Sequence, residues 1–154
     1  TTLKELGLAV RTGTIVWNQV KELLTDDSTK TLLLYNSNIV NNSLELKQFK
    51  NAEKKQYINL DKSETLPFIV VNRGRGNADF NLNYCKISPE NVSQNVLVEN
   101  HLNIIYNKTN PDPNILDKIL MSFEDERTGK FLEIFSGNNA LSKTELETIL
   151  PIYI

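Results

Sequence analysis

A chain of 154 residues fits one domain, or part of a larger protein, and is long enough to bury a real core. Its net charge of −2 excludes a generally basic, non-specific nucleic-acid binder. The charge is uneven, however: residues 1–111 hold 13 Lys and Arg against 11 Asp and Glu, a balance of +2, whereas residues 112–154 hold 4 against 8, a balance of −4. A local site for a polyanion is therefore permitted in the first part.

One cysteine, Cys85, rules out an intrachain disulfide framework and points to a reduced, intracellular compartment. No signal peptide and no apolar run of about 18 residues is present, so no membrane partner is expected. The chain starts at Thr1 rather than Met, and we expect a segment of a longer protein. Asparagine recurs from Asn18 to Asn139. Exposed amides suit a surface that reads polar patterns, although an AT-rich coding bias gives the same abundance.

Val10-Arg11-Thr12-Gly13 reads as a turn leading to a strand at Thr14–Trp17. Val20, Leu23 and Leu24 have helical spacing, and Thr31–Tyr35 reads as a strand. Asn36–Asn38 and Asn41-Asn42 are turn chemistry. Leu44 and Leu46 alternate with Glu45 and Lys47 as a half-exposed strand, and Phe49–Lys55 reads as a basic surface loop. Phe68–Val71 and Phe80–Ile87 are strands, the second with Phe80, Leu82 and Tyr84 on one face and Asn81, Asn83 and Cys85 on the other. Val96–Val98 and Leu102–Tyr106 complete a strand-rich first part.

At Asn110-Pro111-Asp112-Pro113 the pattern changes. Asp112 is a candidate N-cap with Pro113 as the first helical residue, and Ile115, Leu116, Ile119, Leu120 and Phe123 share one helical face. Phe131, Leu132 and Phe135 suggest a second helix, ended by Gly137-Asn138. Ser142-Lys143-Thr144-Glu145 matches a capping box, Leu141 and Leu146 match its hydrophobic staple, and Pro151 stops that helix. Strands followed by helices read as an α+β fold, with a twisted β-rich platform over residues 10–106 and helices mainly in the C-terminal third, in one domain spanning 1–154.

Few motifs carry chemistry. Gly74-Arg75-Gly76 lacks the third glycine of a dinucleotide loop, because position 79 is Asp79. His101 is the only histidine, so a His-based metal cluster is excluded and no metal is expected. Glu124, Asp125 and Glu126 read as a solvated acidic run, and Trp17 as a core or platform residue. Arg73 and Arg75 stand out beside the glycines. Glycines explain a looped connection between strands, but two like charges cost entropy to order and add repulsion. Arginine pairs bidentately with phosphate and with guanine, so this loop is a binding candidate.

Four stretches together resemble a known family: Val10–Gln19, Ile69–Asn77, Leu97–Leu102, and the group Ser136–Asn138, Leu141–Leu146 and Leu150–Ile152. Their order resembles the C-terminal target-recognition domain of TaqI-type adenine-N6 DNA methyltransferases of restriction–modification systems. Type I restriction specificity subunits carry related domains. The likeness spans roughly residues 6–154. The S-adenosylmethionine loop and the catalytic motif of such enzymes have no counterpart. Phe135-Ser136-Gly137-Asn138-Asn139 lacks the second glycine, and Asn110-Pro111-Asp112-Pro113 has the wrong third residue and no aromatic.

The resemblance thus implies a recognition part without catalytic or cofactor residues of its own. It implies S-adenosylmethionine only in a full-length enzyme, a covalently linked catalytic methyltransferase domain, double-stranded DNA as partner, and the cytoplasm of a bacterium or archaeon. Arg73, Arg75 and Asn77 are expected on a loop facing the duplex. Arg11, Thr12, Asn18, Gln19 and Asn38, with Asn100 and His101, are further expected DNA contacts. Phosphate contacts would position the domain, while Arg to guanine and Asn or Gln to adenine would read sequence. The rivals are a type I specificity module without catalysis and an unrelated protein-interaction domain.

Overall fold

Leu8, Val10 and Thr12 alternate with Ala9 and Arg11, and this segment, not Thr14–Trp17, forms the first strand, β1 (Leu8–Thr12). The computed structural model describes residues 1–73, 82–135 and 141–154. After β1, Ile15 makes a single parallel bridge to Glu99, and Trp17–Gln19 and Lys21–Leu23 are 3-10 turns. The Thr14–Trp17 expectation is therefore corrected, and the helical spacing of Val20, Leu23 and Leu24 ends in a two-residue strand, β2 (Leu24–Thr25).

The next strands are β3 (Thr31–Leu34), β4 (Ile39–Val40), β5 (Ser43–Leu44) and β6 (Tyr57–Ile58). The strand expected through Lys47 stops at Leu44, because β5 has only the two residues of β4 to pair with. Then come β7 (Phe68–Asn72), β8 (Tyr84–Ile87), β9 (Val96–Val98) and β10 (Leu102–Asn107). Phe80 and Asn81, expected in the same strand as Tyr84, lie outside the described residues.

Two four-stranded sheets result, ordered β1-β10-β7-β8 and β2-β6-β3-β9. The first is antiparallel throughout, and β3 and β9 of the second run parallel. Phe68–Val71 is apolar without alternation because both faces of its sheet are covered. Ile69 and Val71 join Val10, Tyr84 and Ile105 in a core with the C-terminal helices. Phe68 and Val70 join Cys85, Ile87 and Ile104 in a core with Leu32, Leu34, Val96 and Val98 of the second sheet. The expected polar face of the β8 segment is thus buried at Cys85. Burial pushes that thiol up.

The helices are α1 (Ile115–Glu124), α2 (Glu126–Phe135) and α3 (Lys143–Thr148). Ile115, Leu116, Ile119 and Phe123 bury one face of α1, as their spacing predicts. Asp112 is not its N-cap. It accepts a hydrogen bond from the Asn114 N–H at 2.8 Å, one turn before the helix, and holds the Lys118 ammonium. Asp125 separates α1 from α2 and takes a bidentate contact from Arg127 at 3.0 and 2.8 Å. The capping box is present: Ser142 Oγ accepts from the Glu145 N–H at 3.1 Å, and Glu145 accepts from the Ser142 N–H at 3.0 Å. Leu141 and Leu146 are both buried beside it. Gly137 and Asn138 lie outside the described residues. The architecture is α+β with mixed sheets and C-terminal helices.

Candidate nucleic-acid interface

The pairing register brings three chain segments to one edge of the first sheet. Thr12, at the end of β1, lies opposite Asn103, and Asn72, at the end of β7, lies opposite Leu102. The turn joining β9 to β10, Glu99-Asn100-His101, closes the same edge. Gly13 lets β1 leave the sheet by crossing this turn. A Cβ there would collide with the carbonyl of Glu99 and lie 2.6 Å from that of Val98. The Gly13 N–H donates to the Leu102 carbonyl at 2.9 Å, and the Asn100 N–H to that of Ile15 at 2.9 Å.

Arg73 is the first residue beyond β7 and is exposed. Its Nη1 donates to the Asn100 carbonyl at 3.1 Å, and among the described residues it pairs with no carboxylate. One residue on, His101 points Nδ1 at both oxygens of Glu99, at 2.7 and 2.9 Å, and adds its backbone N–H at 3.1 Å. Glu99 is 2 % exposed. Its charge, after burial itself, helps to push the phenol of nearby Tyr35 well above the usual range.

Thr12 donates to Asn103 Oδ1 at 3.0 Å. Asn103 is fully buried, yet among the described residues its Nδ2 has no hydrogen-bond partner, and neither does the buried Oδ1 of Asn100. A buried polar atom left unpaired costs about 1–3 kcal/mol. Asn100 is the residue whose carbonyl Arg73 holds, and Asn103 is the one that Thr12 holds.

A ladder of asparagine amides fixes the end of β7, next to Arg73. Asn72 Oδ1 accepts from the Asn83 N–H at 2.8 Å, and the Asn72 N–H donates to the Asn83 carbonyl at 2.9 Å. Asn83 Oδ1 accepts from the Asn42 N–H at 3.1 Å, and Asn42 Oδ1 from the Tyr84 N–H at 3.0 Å. Asn41 and Asn42 have φ of 50° and 61°, a left-handed conformation that asparagine tolerates. In the sequence Asn42 signals only a turn, and nothing marks Asn72, Asn83 or Glu99. Their partners are distant along the chain, so no local pattern distinguishes them.

The expected contacts divide. Thr12, Arg73, Asn100 and His101 meet at the edge. Asn18 and Gln19 are exposed on the 3-10 turn that follows Ile15. Arg75 and Asn77 lie outside the described residues. Arg11 projects away from the edge, pairing with Glu64 at 2.7 Å and lying 5.4 Å from the centre of the Tyr106 ring. That Glu64 oxygen is buried and finds no hydrogen-bond geometry, so the contact is an ion pair only.

Asn38 is corrected outright: it is fully buried. Its Oδ1 accepts from the Tyr35 N–H at 2.9 Å and from Gln56 at 2.9 Å, while its Nδ2 donates to the Glu45 carbonyl at 3.0 Å. It serves the core, because an amide is the side chain that can both donate and accept there.

A polar cleft of about 380 Å³, lined by Thr31, Asn59, Asp61 and Asn95 among others, opens at the start of β3 and β9. Those strands run parallel, so the cleft is at the far end from Glu99. The described residues contain no group of His, Cys, Asp or Glu able to hold a metal, and no helix among them is long and apolar enough to cross a membrane.

Compared with known proteins, the chain matches no family model and no curated protein. The labels that came with the resemblance are accordingly corrected. DNA binding, target-recognition domain, methyltransferase, adenine-specific, restriction–modification, S-adenosylmethionine and cytoplasmic have no support in these comparisons and are withdrawn as labels; a DNA reading rests on the site's geometry alone.

Proposed function

We propose that the chain is a DNA-recognition module that offers the Thr12–Arg73–Asn100–His101 edge to a duplex. The observation that carries the reading is Arg73. Its guanidinium is fixed on a backbone carbonyl, exposed, and without a carboxylate among the described residues, in contrast to Arg11. Around it stand amides, a hydroxyl and an imidazole, the groups that contact phosphates and base edges. The acidic C-terminal part does not oppose this. Its helices pack on a face of the sheet, and Asp112, Asp117, Asp125 and Glu126 are paired with Lys118, Lys86, Arg127 and Lys130.

The test is binding of the chain to short duplexes, with enrichment from a random-sequence pool. A recurrent base pattern and affinity that falls with salt are expected. Equal retention of all sequences, or no binding, would refute the reading. A protein-interaction domain is the second reading, and Met121 and Ile134, 70 % and 86 % exposed on α1 and α2, favour it.

A further inference from the structure

A carboxylate as deep as that of Glu99 stays ionised only with partners. Among the described residues its partners come from His101: the backbone N–H and Nδ1. With Glu99 ionised, both its oxygens are acceptors and Nδ1 is the donor that meets them. A neutral ring then presents Nε2 as a lone pair, which repels phosphate. Only the imidazolium can donate from Nε2. The His101 side chain is 59 % exposed, and nothing among the described residues hydrogen-bonds Nε2. Among the described residues, the Arg73 guanidinium reaches the Asn100 carbonyl beside this pair, Tyr35 just after β3 is near enough to feel the Glu99 charge, and Lys54 lies 4.6 Å from the centre of the Tyr35 ring. Arg73 opposes a second cation at the edge, and an incoming phosphate offsets both charges.

We propose that His101 contacts a DNA phosphate as an imidazolium backed by buried Glu99, so that duplex binding takes up a proton. This rests on the DNA reading above. His101 is the only histidine in the chain, which makes the coupling readable. The full chain is titrated with a mixed-sequence duplex over a range of salt concentrations at about pH 6 and about pH 8, the window in which histidine changes charge. Affinity should be higher at the lower pH, with a salt dependence steeper by about 1. Calorimetry in two buffers of different ionisation enthalpy should register proton uptake between those values.

His101→Asn keeps a donor for Glu99 without a titrating ring, and should abolish the pH difference. Should His101→Asn fail to fold, the double variant Glu99→Gln/His101→Asn removes the buried charge as well and should behave the same way. Arg73→Ala should weaken binding at both pH values and retain the difference. Binding equally tight at both pH values, or a pH difference that survives in the His101 variants, overturns the proposal and leaves the DNA reading standing. No duplex binding at either pH overturns both.

Discussion

Arg73 and Arg11 carry the same charge but differ in what surrounds them. Arg11 spends its charge on Glu64 and its plane on Tyr106, whereas among the described residues Arg73 hydrogen-bonds a carbonyl and pairs with no carboxylate. The Glu64 oxygen in this pair is buried and the Arg11 guanidinium half-exposed, so Arg11 is committed to its own sheet and not to a ligand at the Arg73 end. Asn38 joins the connection after β3 to Gln56 and Glu45. Asn38→Ala would strand the Tyr35 N–H and the Gln56 amide, at a cost of about 1–3 kcal/mol in denaturant unfolding, with duplex affinity unchanged. At Asp125, the Arg127 side chain first, and then its N–H, holds the carboxyl down to about 2. A depressed carboxyl stabilises the fold above its unfolded value, and the contribution is lost as pH falls towards about 2. In Arg127→Ala the Asp125 titration, followed by NMR, should return towards about 3.9.

The helix α3 is legible in the amino-acid sequence alone because its signals are local: Ser142, Glu145, Leu141 and Leu146 lie within six residues. Ser142→Ala should cost about 1 kcal/mol of unfolding free energy, and an unchanged denaturant midpoint would contradict the cap. The first strand is not legible in this way, for the opposite reason. Thr14–Trp17 has the better β-branched run, but Leu8–Thr12 has β10 to pair with. What sends the chain off the sheet is Gly13 against the Val98 and Glu99 carbonyls, a contact between positions far apart in sequence. Gly13→Ala should therefore destabilise by about 1–3 kcal/mol, because backbone and not a flexible side chain must give way. A melting temperature equal to wild type would refute that close approach. The apolar spacing of α1 discloses its buried face but not its start, since Asp112 caps a turn ahead of the helix.

For the whole molecule, the central sheet lies between the second sheet and the helices, which explains why β7 reads as an unbroken apolar run and why Cys85 is buried. Apolar patterning discloses most strands, the helices and, by its setting, the basic residue Arg73. It does not disclose that β1, β7 and the β9–β10 turn end together, nor that Glu99 is buried behind His101, because both depend on strand order. The central claim is that this shared edge meets DNA. It is tested most directly by the salt dependence of duplex binding in Arg73→Ala compared with Arg11→Ala, each checked for native stability. The account predicts that Arg73→Ala binds more weakly. If Arg73 holds a phosphate, its removal lowers the salt slope by about 1; if it reads a base, its removal costs roughly 1–3 kcal/mol at one base pair. Arg11→Ala should match wild type. Equal binding by wild type and Arg73→Ala, at every salt concentration and on every duplex, would contradict it.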